Sequence, residues 1–244
     1  MDNEYIVKDH FQDILLSAIY NSVEEGCLLV FKGGTAIRKV YGIDRYSDDL
    51  DFTLNEGRLR AISANEYIQG LRDKCTGLLS PLYDVEMHIH RGQFGQYGID
   101  AIVADAVHRS AKIHIEIKAA KVYMPCMERR IITPETTYFA SVMHIDEIIA
   151  EKVRAVYTRR NIENIARDLV DMAFLASHGG RFDIELANKK LAEVSHRPFS
   201  AASFSRRLRV ITDDVWNRDL EGIMSRIPDR RGTIAQVAEL LKIG

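Results

Sequence analysis

Apolar residues recur along this chain in two rhythms. Between residues 5 and 25, Ile6, Phe11, Ile14, Leu15, Ala18 and Ile19 fall mostly three and four apart, the spacing of one helical face. Gly26 is placed to end that helix. Leu28, Leu29, Val30 and Phe31 form a continuous apolar run, short enough for a buried strand. Gly33 and Gly34 let the backbone turn sharply, and Thr35 opens a short helix predicted over residues 36–41. Asp49, Leu50, Asp51 and Phe52 then alternate polar and apolar, as a strand buried on one face does. Asn55, Glu56 and Gly57 read as a turn. Asn65 is placed to cap a helix running to about residue 79, ahead of Pro81. Residues 83–91 and 111–118 alternate as strands, and residues 98–103 predict a further short one. In the segment 111–118, Ile113, Ile115 and Ile117 point one way; Lys112, His114, Glu116 and Lys118 point the other. The stretch between Pro125 and Pro134 is rich in charge and reads as a connection.

Beyond residue 143 the period is helical to the end. Ile145, Ile148, Ile149, Val153 and Val156 make one stripe, with Lys152 inside it, either snorkelling to water or pointing into a cavity. Asp168 and Asp171 are three apart, hence on one face of the next helix, and His178, Gly179 and Gly180 end that helix. A helix follows over 183–195. Another begins at Ser200 or Ser203 and carries Arg206, Arg207 and Arg209, a solvated face or an RNA-facing patch. A last helix covers 233–241. The fold class is α+β: a mixed sheet with flanking helices over residues 1–142, then a helical region over 143–244.

Composition narrows the class. No apolar run approaches the roughly 20 residues that span a bilayer, and the charged N-terminus lacks a secretory apolar region. Cys27, Cys75 and Cys126 are odd in number and far apart, which reads as reduced thiols in a cytoplasm. Net charge is −2, but it is uneven. Residues 1–149 carry 16 Lys/Arg against 22 Asp/Glu, net −6; residues 150–244 carry 17 against 13, net +4. An acidic metal-binding half joined to a helical half that accepts phosphates fits that split, as does plain surface scatter.

The chemistry concentrates in residues 31–54. Period two puts Asp49 and Asp51 on one face of their strand. Like charges so placed repel, and a dication between them relieves the repulsion; hard oxygen ligands select Mg2+ or Mn2+ over zinc. The exposed amides after Gly33 and Gly34 suit a phosphate. One stretch thus offers a place for a nucleoside triphosphate and for the metal bridging it. His88 and His90 share a strand face, but no third ligand follows at a metal-binding spacing, so they read as surface histidines.

The motif K-G-G-T-A-I, beginning at Lys32, followed by R-x-S-x-D-L-D-F over Arg45, Ser47, Asp49, Leu50, Asp51 and Phe52, resembles the AbiEii/AbiGii toxin group, which includes the MenT-like toxins, within the DNA polymerase β nucleotidyltransferase superfamily. Fourteen residues separate Gly34 from Asp49, slightly more than the usual superfamily pattern, and the toxin group shares this longer form. The run A-E-K-V-R-A, with Arg159 and Arg160 after it, and then R-D-L-V-D resemble the group's later motifs. The resemblance implies a polymerase-β-type sheet and transfer of a nucleotide from an NTP with release of pyrophosphate. It implies Gly33, Gly34, Thr35, Arg45 and Ser47 at the nucleotide, and Asp49 and Asp51 on the metal with Glu116 as a third carboxylate. Lys152 would hold the phosphates, and Asp168 or Asp171 would complete the site. It further implies a toxin of a toxin–antitoxin or phage-defence pair, a cognate antitoxin as partner, and a tRNA 3′ end as acceptor. Transfer onto a protein hydroxyl stands as the alternative within enzymes, and a catalytically inactive nucleotide- or antitoxin-binding module as the alternative outside them.

Overall fold

A computed structural model of the chain describes residues 3–23, 27–59, 62–93, 95–159, 161–194 and 197–243. Gly26 and Arg160, which the sequence placed at a helix end and in a motif, lie outside the described residues. The chain forms two compact units: residues 1–40 with 46–143, and residues 41–45 with 144–244.

The first unit is built on one sheet. Its elements are α1 (Asn3–Ser22), β1 (Leu29–Lys32), α2 (Gly33–Ala36), β2 (Leu50–Asn55), α3 (Ala64–Leu79), β3 (Asp84–Arg91), β4 (Gln96–Ala104), β5 (Ser110–Ala120), β6 (Met127–Ile132) and β7 (Thr137–Val142). A single π turn, Ile37–Tyr41, continues α2. The strands lie in the order β3-β4-β5-β2-β1-β7-β6. The β1–β7 and β2–β5 pairs are parallel; the other pairs are antiparallel. Phe11, Leu15 and Ile19 of α1 and Ile68, Leu71 and Cys75 of α3 close over Leu50, Phe52, Ile115 and Ile117. The alternation along β2 and β5 therefore gives one sheet face to the core and leaves the opposite face to the polar side chains.

Three features differ from the sequence reading. The cap of α3 is Ser63: its hydroxyl accepts from the Glu66 amide while the Glu66 carboxylate accepts from the Ser63 amide. That reciprocal pair satisfies two otherwise orphaned donors, more than Asn65 offers two residues later. The charged stretch after Pro125 contains β6, which pairs with β7 as a hairpin. As an edge strand it keeps Glu128, Arg129 and Arg130 exposed and buries Ile131, so charge here guards an edge. Cys27 and Cys126 are disulfide-bonded rather than reduced, with Cα atoms 6.0 Å apart at a sequence separation of 99. They lead into β1 and β6, which flank β7 in the sheet, so topology brings them together. Cys75 is free and buried.

The second unit is helical: α4 (Ile145–Thr158), α5 (Ile165–Ser177), α6 (Ile184–Ala192), α7 (Ala201–Arg209), α8 (Asp213–Leu220) and α9 (Arg230–Leu241). The sequence reading passed over α8, whose Thr212 cap accepts from the Val215 amide and whose Val215, Trp216 and Leu220 are buried. Two charged pairings fix α4. On α6, the wholly buried Lys190 lies 2.8 Å from Glu147 and 3.0 Å from Glu151. The other pairing, toward α5, involves Lys152 and is part of the candidate site. Among the described residues, no helix is long and apolar enough to cross a membrane.

Candidate active site

Strand β1 ends at Lys32, and the backbone turns at once. Gly33 has φ of +77°, in the left-handed region that favours glycine. A Cβ added there would sit 2.1 Å from Oδ2 of Asp51. The glycine backbone therefore lies directly against that carboxylate, and no side chain fits between them. Gly34 follows, buried. Thr35 is fully buried, and its hydroxyl donates to the Asp49 carbonyl at 2.5 Å. Its side chain, which the resemblance put at the nucleotide, holds the chain entering β2. Gln12 of α1 reinforces that hold, its Nε2 donating to the Ser47 and Asp48 carbonyls at 2.8 and 3.1 Å.

Asp51 lies opposite Lys32 on β1 and opposite Glu116 on β5. Leu50 and Phe52 on either side of it are wholly buried, so Asp51 is on the face away from the core. Asp49 stands immediately before β2 and is exposed. Partial withdrawal from water among the neighbouring groups raises its carboxyl above the usual range, and the negative charges of Asp48 and Glu116 add to the rise. Asp49, Asp51 and Glu116 thus gather negative charge at one place on the sheet. The sequence reading did not put Lys32 among the site residues. It is nine-tenths buried, directly across from Asp51, and its one sequence signal was its place before the two glycines.

The donor set at Asp49, Asp51 and Glu116 is carboxylate oxygen throughout, which suits a hard dication. Among the described residues, no three His, Cys, Asp or Glu side chains form a metal cage of their own. A magnesium ion completed by substrate phosphates and water needs only one or two carboxylates, so these residues fit one. His88 and His90 pair instead with Glu86 (3.5 Å) and Asp100 (3.2 Å).

The helical unit holds the remaining residues singled out from the sequence. Lys152 Nζ lies 2.6 Å from Asp171 Oδ2 and 3.0 Å from Asp168 Oδ1. Arg45 grips Asp171 with both arms of its fork, Nε to Oδ1 at 2.9 Å and Nη2 to Oδ2 at 2.8 Å. Arg159 lies 2.9 Å from the second Asp168 oxygen. Burial works against charge at both Lys152 and Asp171, but their partners prevail. Asp171 and Asp168 raise the Lys152 ammonium, while Arg45 and Lys152 hold the Asp171 carboxyl low. Arg45, which the resemblance sets at the nucleotide, pairs here with Asp171. Arg167, four residues before Asp171 on the same helix, donates from Nε to the Asp219 carbonyl at 3.0 Å.

Residues 14–241 match the family described as the nucleotidyl transferase AbiEii toxin of type IV toxin–antitoxin systems. No curated protein sequence matches. Among solved structures, the chain is similar to MenT4, nucleotidyltransferase toxin Rv2826c from Mycobacterium tuberculosis H37Rv. The two are 20% identical with a TM-score of 0.74, over 98% of this chain and 83% of that one. It is also similar to JHP933 from Helicobacter pylori, at 18% identity and a TM-score of 0.62, over 99% of this chain and 92% of that one. An antigenic nucleotidyltransferase-like protein from Paracoccidioides brasiliensis matches at 12% identity and a TM-score of 0.51, over 86% of this chain and 97% of that one. At these identities the structural likeness speaks for the fold.

Proposed function

We propose that this chain, which belongs to the AbiEii nucleotidyltransferase toxin family, moves a nucleotide from an NTP onto the 3′ end of an RNA, tRNA being the foremost candidate, and that a cognate antitoxin restrains it. The observation that carries the reading is the contact between the Gly33 backbone and Asp51, beside Asp49 and Glu116. A glycine turn that accepts phosphate and an acidic cluster that accepts a dication then meet on one strand pair. Gly33 and Gly34 amides and the Ser47 hydroxyl hold phosphate oxygens, and Lys32 adds a positive charge beside them. Lys152 keeps the phosphate-holding role that the family resemblance implies. Mg2+ or Mn2+ held by Asp49 and Asp51, with Glu116, would ease ionisation of the attacking hydroxyl and neutralise the phosphates. The acceptor oxygen forms a bond to the α-phosphorus as the bond from that phosphorus to the bridging oxygen breaks. Pyrophosphate leaves, and the hydroxyl proton passes to water. The protein contributes placement and charge rather than covalent chemistry.

The test supplies α-labelled nucleoside triphosphates with total RNA and total cell protein. Label is expected in RNA, to be lost with EDTA and restored by magnesium; label in protein alone assigns a protein hydroxyl as acceptor instead. Asp49→Asn and Asp51→Asn should each lower turnover by roughly a hundredfold or more with the far-UV circular dichroism unchanged. Near-normal turnover in either variant overturns the carboxylate assignment.

A further inference from the structure

Beside Asp49 the sheet opens into a cavity of about 480 Å³, walled in part by Asp100 of β4 and by Ser110, Lys112 and His114 of β5. Its size suits one nucleoside-sized group. The His114 ring lies against Gly98 of β4, where an added Cβ would come within 2.8 Å of its Cε1. Its Nδ1 is 2.8 Å from Asp100 Oδ1. Lys112 lies 2.7 Å from the other Asp100 oxygen, and His90 3.2 Å. Lys112 and His114 together hold the Asp100 carboxyl well below the usual range. A carboxylate only accepts, so Nδ1 of His114 donates; in the neutral ring Nε2 is then the acceptor. Among the described residues lining the cavity there is no Phe, Tyr or Trp, so it offers hydrogen bonds and no aromatic stacking platform.

We propose that this cavity is the acceptor subsite, that it takes the terminal ribose of an RNA, and that His114 reads the 2′-hydroxyl next to the attacking 3′-hydroxyl. The inference rests on the nucleotidyl-transfer reading and adds the discrimination of ribose from deoxyribose. A 2′-hydroxyl donates to Nε2 of His114; a deoxyribose end leaves that nitrogen unsatisfied. Asp100 is a positioning residue, fixing the ring and its tautomer. Gly98 makes room for the ring.

The experiment uses the full chain, labelled NTP and two RNA oligonucleotides with free 3′-hydroxyls, alike except that one ends in ribose and the other in 2′-deoxyribose. The wild type should favour the ribose end by about tenfold in kcat/KM, the worth of one well-made hydrogen bond. His114→Ala, Gly98→Ala and Asp100→Ala should each bring that ratio close to one and raise the KM for RNA, with the KM for NTP unchanged. The ratio is read within one preparation, so partial misfolding of a variant cancels. Equal use of both ends by the wild type, or a ratio that survives His114→Ala, overturns the subsite while leaving nucleotidyl transfer to RNA standing. Absence of label on either RNA, with wild-type label on protein, fails the RNA-acceptor reading itself and takes the subsite with it.

Discussion

Gly33→Ala is expected to abolish nucleotidyl transfer while leaving the fold largely intact, and Gly42→Ala is its control. Both glycines have φ in the left-handed region, +77° and +81°. Placing alanine there costs about 1–2 kcal/mol of backbone strain in each case. They differ in what the new methyl meets. At Gly42 nothing lies within 4 Å; at Gly33 the Asp51 carboxylate is 2.1 Å away. The Gly33 variant must therefore move either its own turn or Asp51, and both belong to the proposed chemistry. A displacement of that order costs roughly a hundredfold in rate or more. Turnover of labelled NTP should collapse for Gly33→Ala and stay near wild type for Gly42→Ala, with similar small losses in melting temperature. Equal turnover in the two variants would sink the assignment of Gly33 to the site.

That contrast also marks where a single sequence stops being informative. The need for glycine at position 33 is legible, because a double glycine after an apolar run predicts a turn. The carboxylate pressed against it is not, since the contact depends on how β1 and β2 pair. Alternation at Asp49–Phe52 and over residues 111–118 is legible for the same kind of reason. Each residue reports its own burial, and a strand with one face in the core writes that burial as period two. The register that sets Glu116 beside Asp51 leaves no such trace.

Partners far apart in sequence were hardest to see. Arg45 stands two residues before Ser47 in the motif whose resemblance sets both at the nucleotide; its partner Asp171 lies 126 positions on. The same resemblance sets Thr35 at the nucleotide, and its hydroxyl donates to a backbone carbonyl fourteen residues later. Cys27 and Cys126 show the same blindness across 99 positions. The β6 strand hid for a different reason: charges on an edge strand mask the apolar positions that would have announced it.

The pairing of Arg45 and Lys152 with Asp171 sets up the second large effect. Asp171→Ala is expected to destabilise the helical unit by about 3–5 kcal/mol, the usual cost of stripping one partner from a buried ion pair. Asp171 is wholly buried and receives the Arg45 fork and the Lys152 ammonium together. Removing it leaves the Arg45 and Lys152 cations repelling each other, with Asp168 still beside Lys152. Lys152→Met should cost less, because Arg45 still satisfies both oxygens of Asp171. The pH dependence separates charge from packing. The Asp171 carboxyl is held below its unfolded value, so its contribution is present above the unfolded pKa of about 3.9 and is lost as pH falls through the lower folded value. The Lys152 ammonium is raised, so its contribution is present below about pH 10.4 and is lost as pH rises through the higher folded value. Melting curves of wild type and Asp171→Ala should therefore differ by a constant gap from about pH 5 to pH 9, with the gap closing on the acid side below about pH 4. Coincident melting at pH 7 would remove the structural role of the network. A phosphate-holding role for Lys152 has its own signature: in Lys152→Met the KM for NTP rises by more than any loss of folded protein explains. With the KM unchanged, Lys152 is left with Asp168 and Asp171 as its whole purpose.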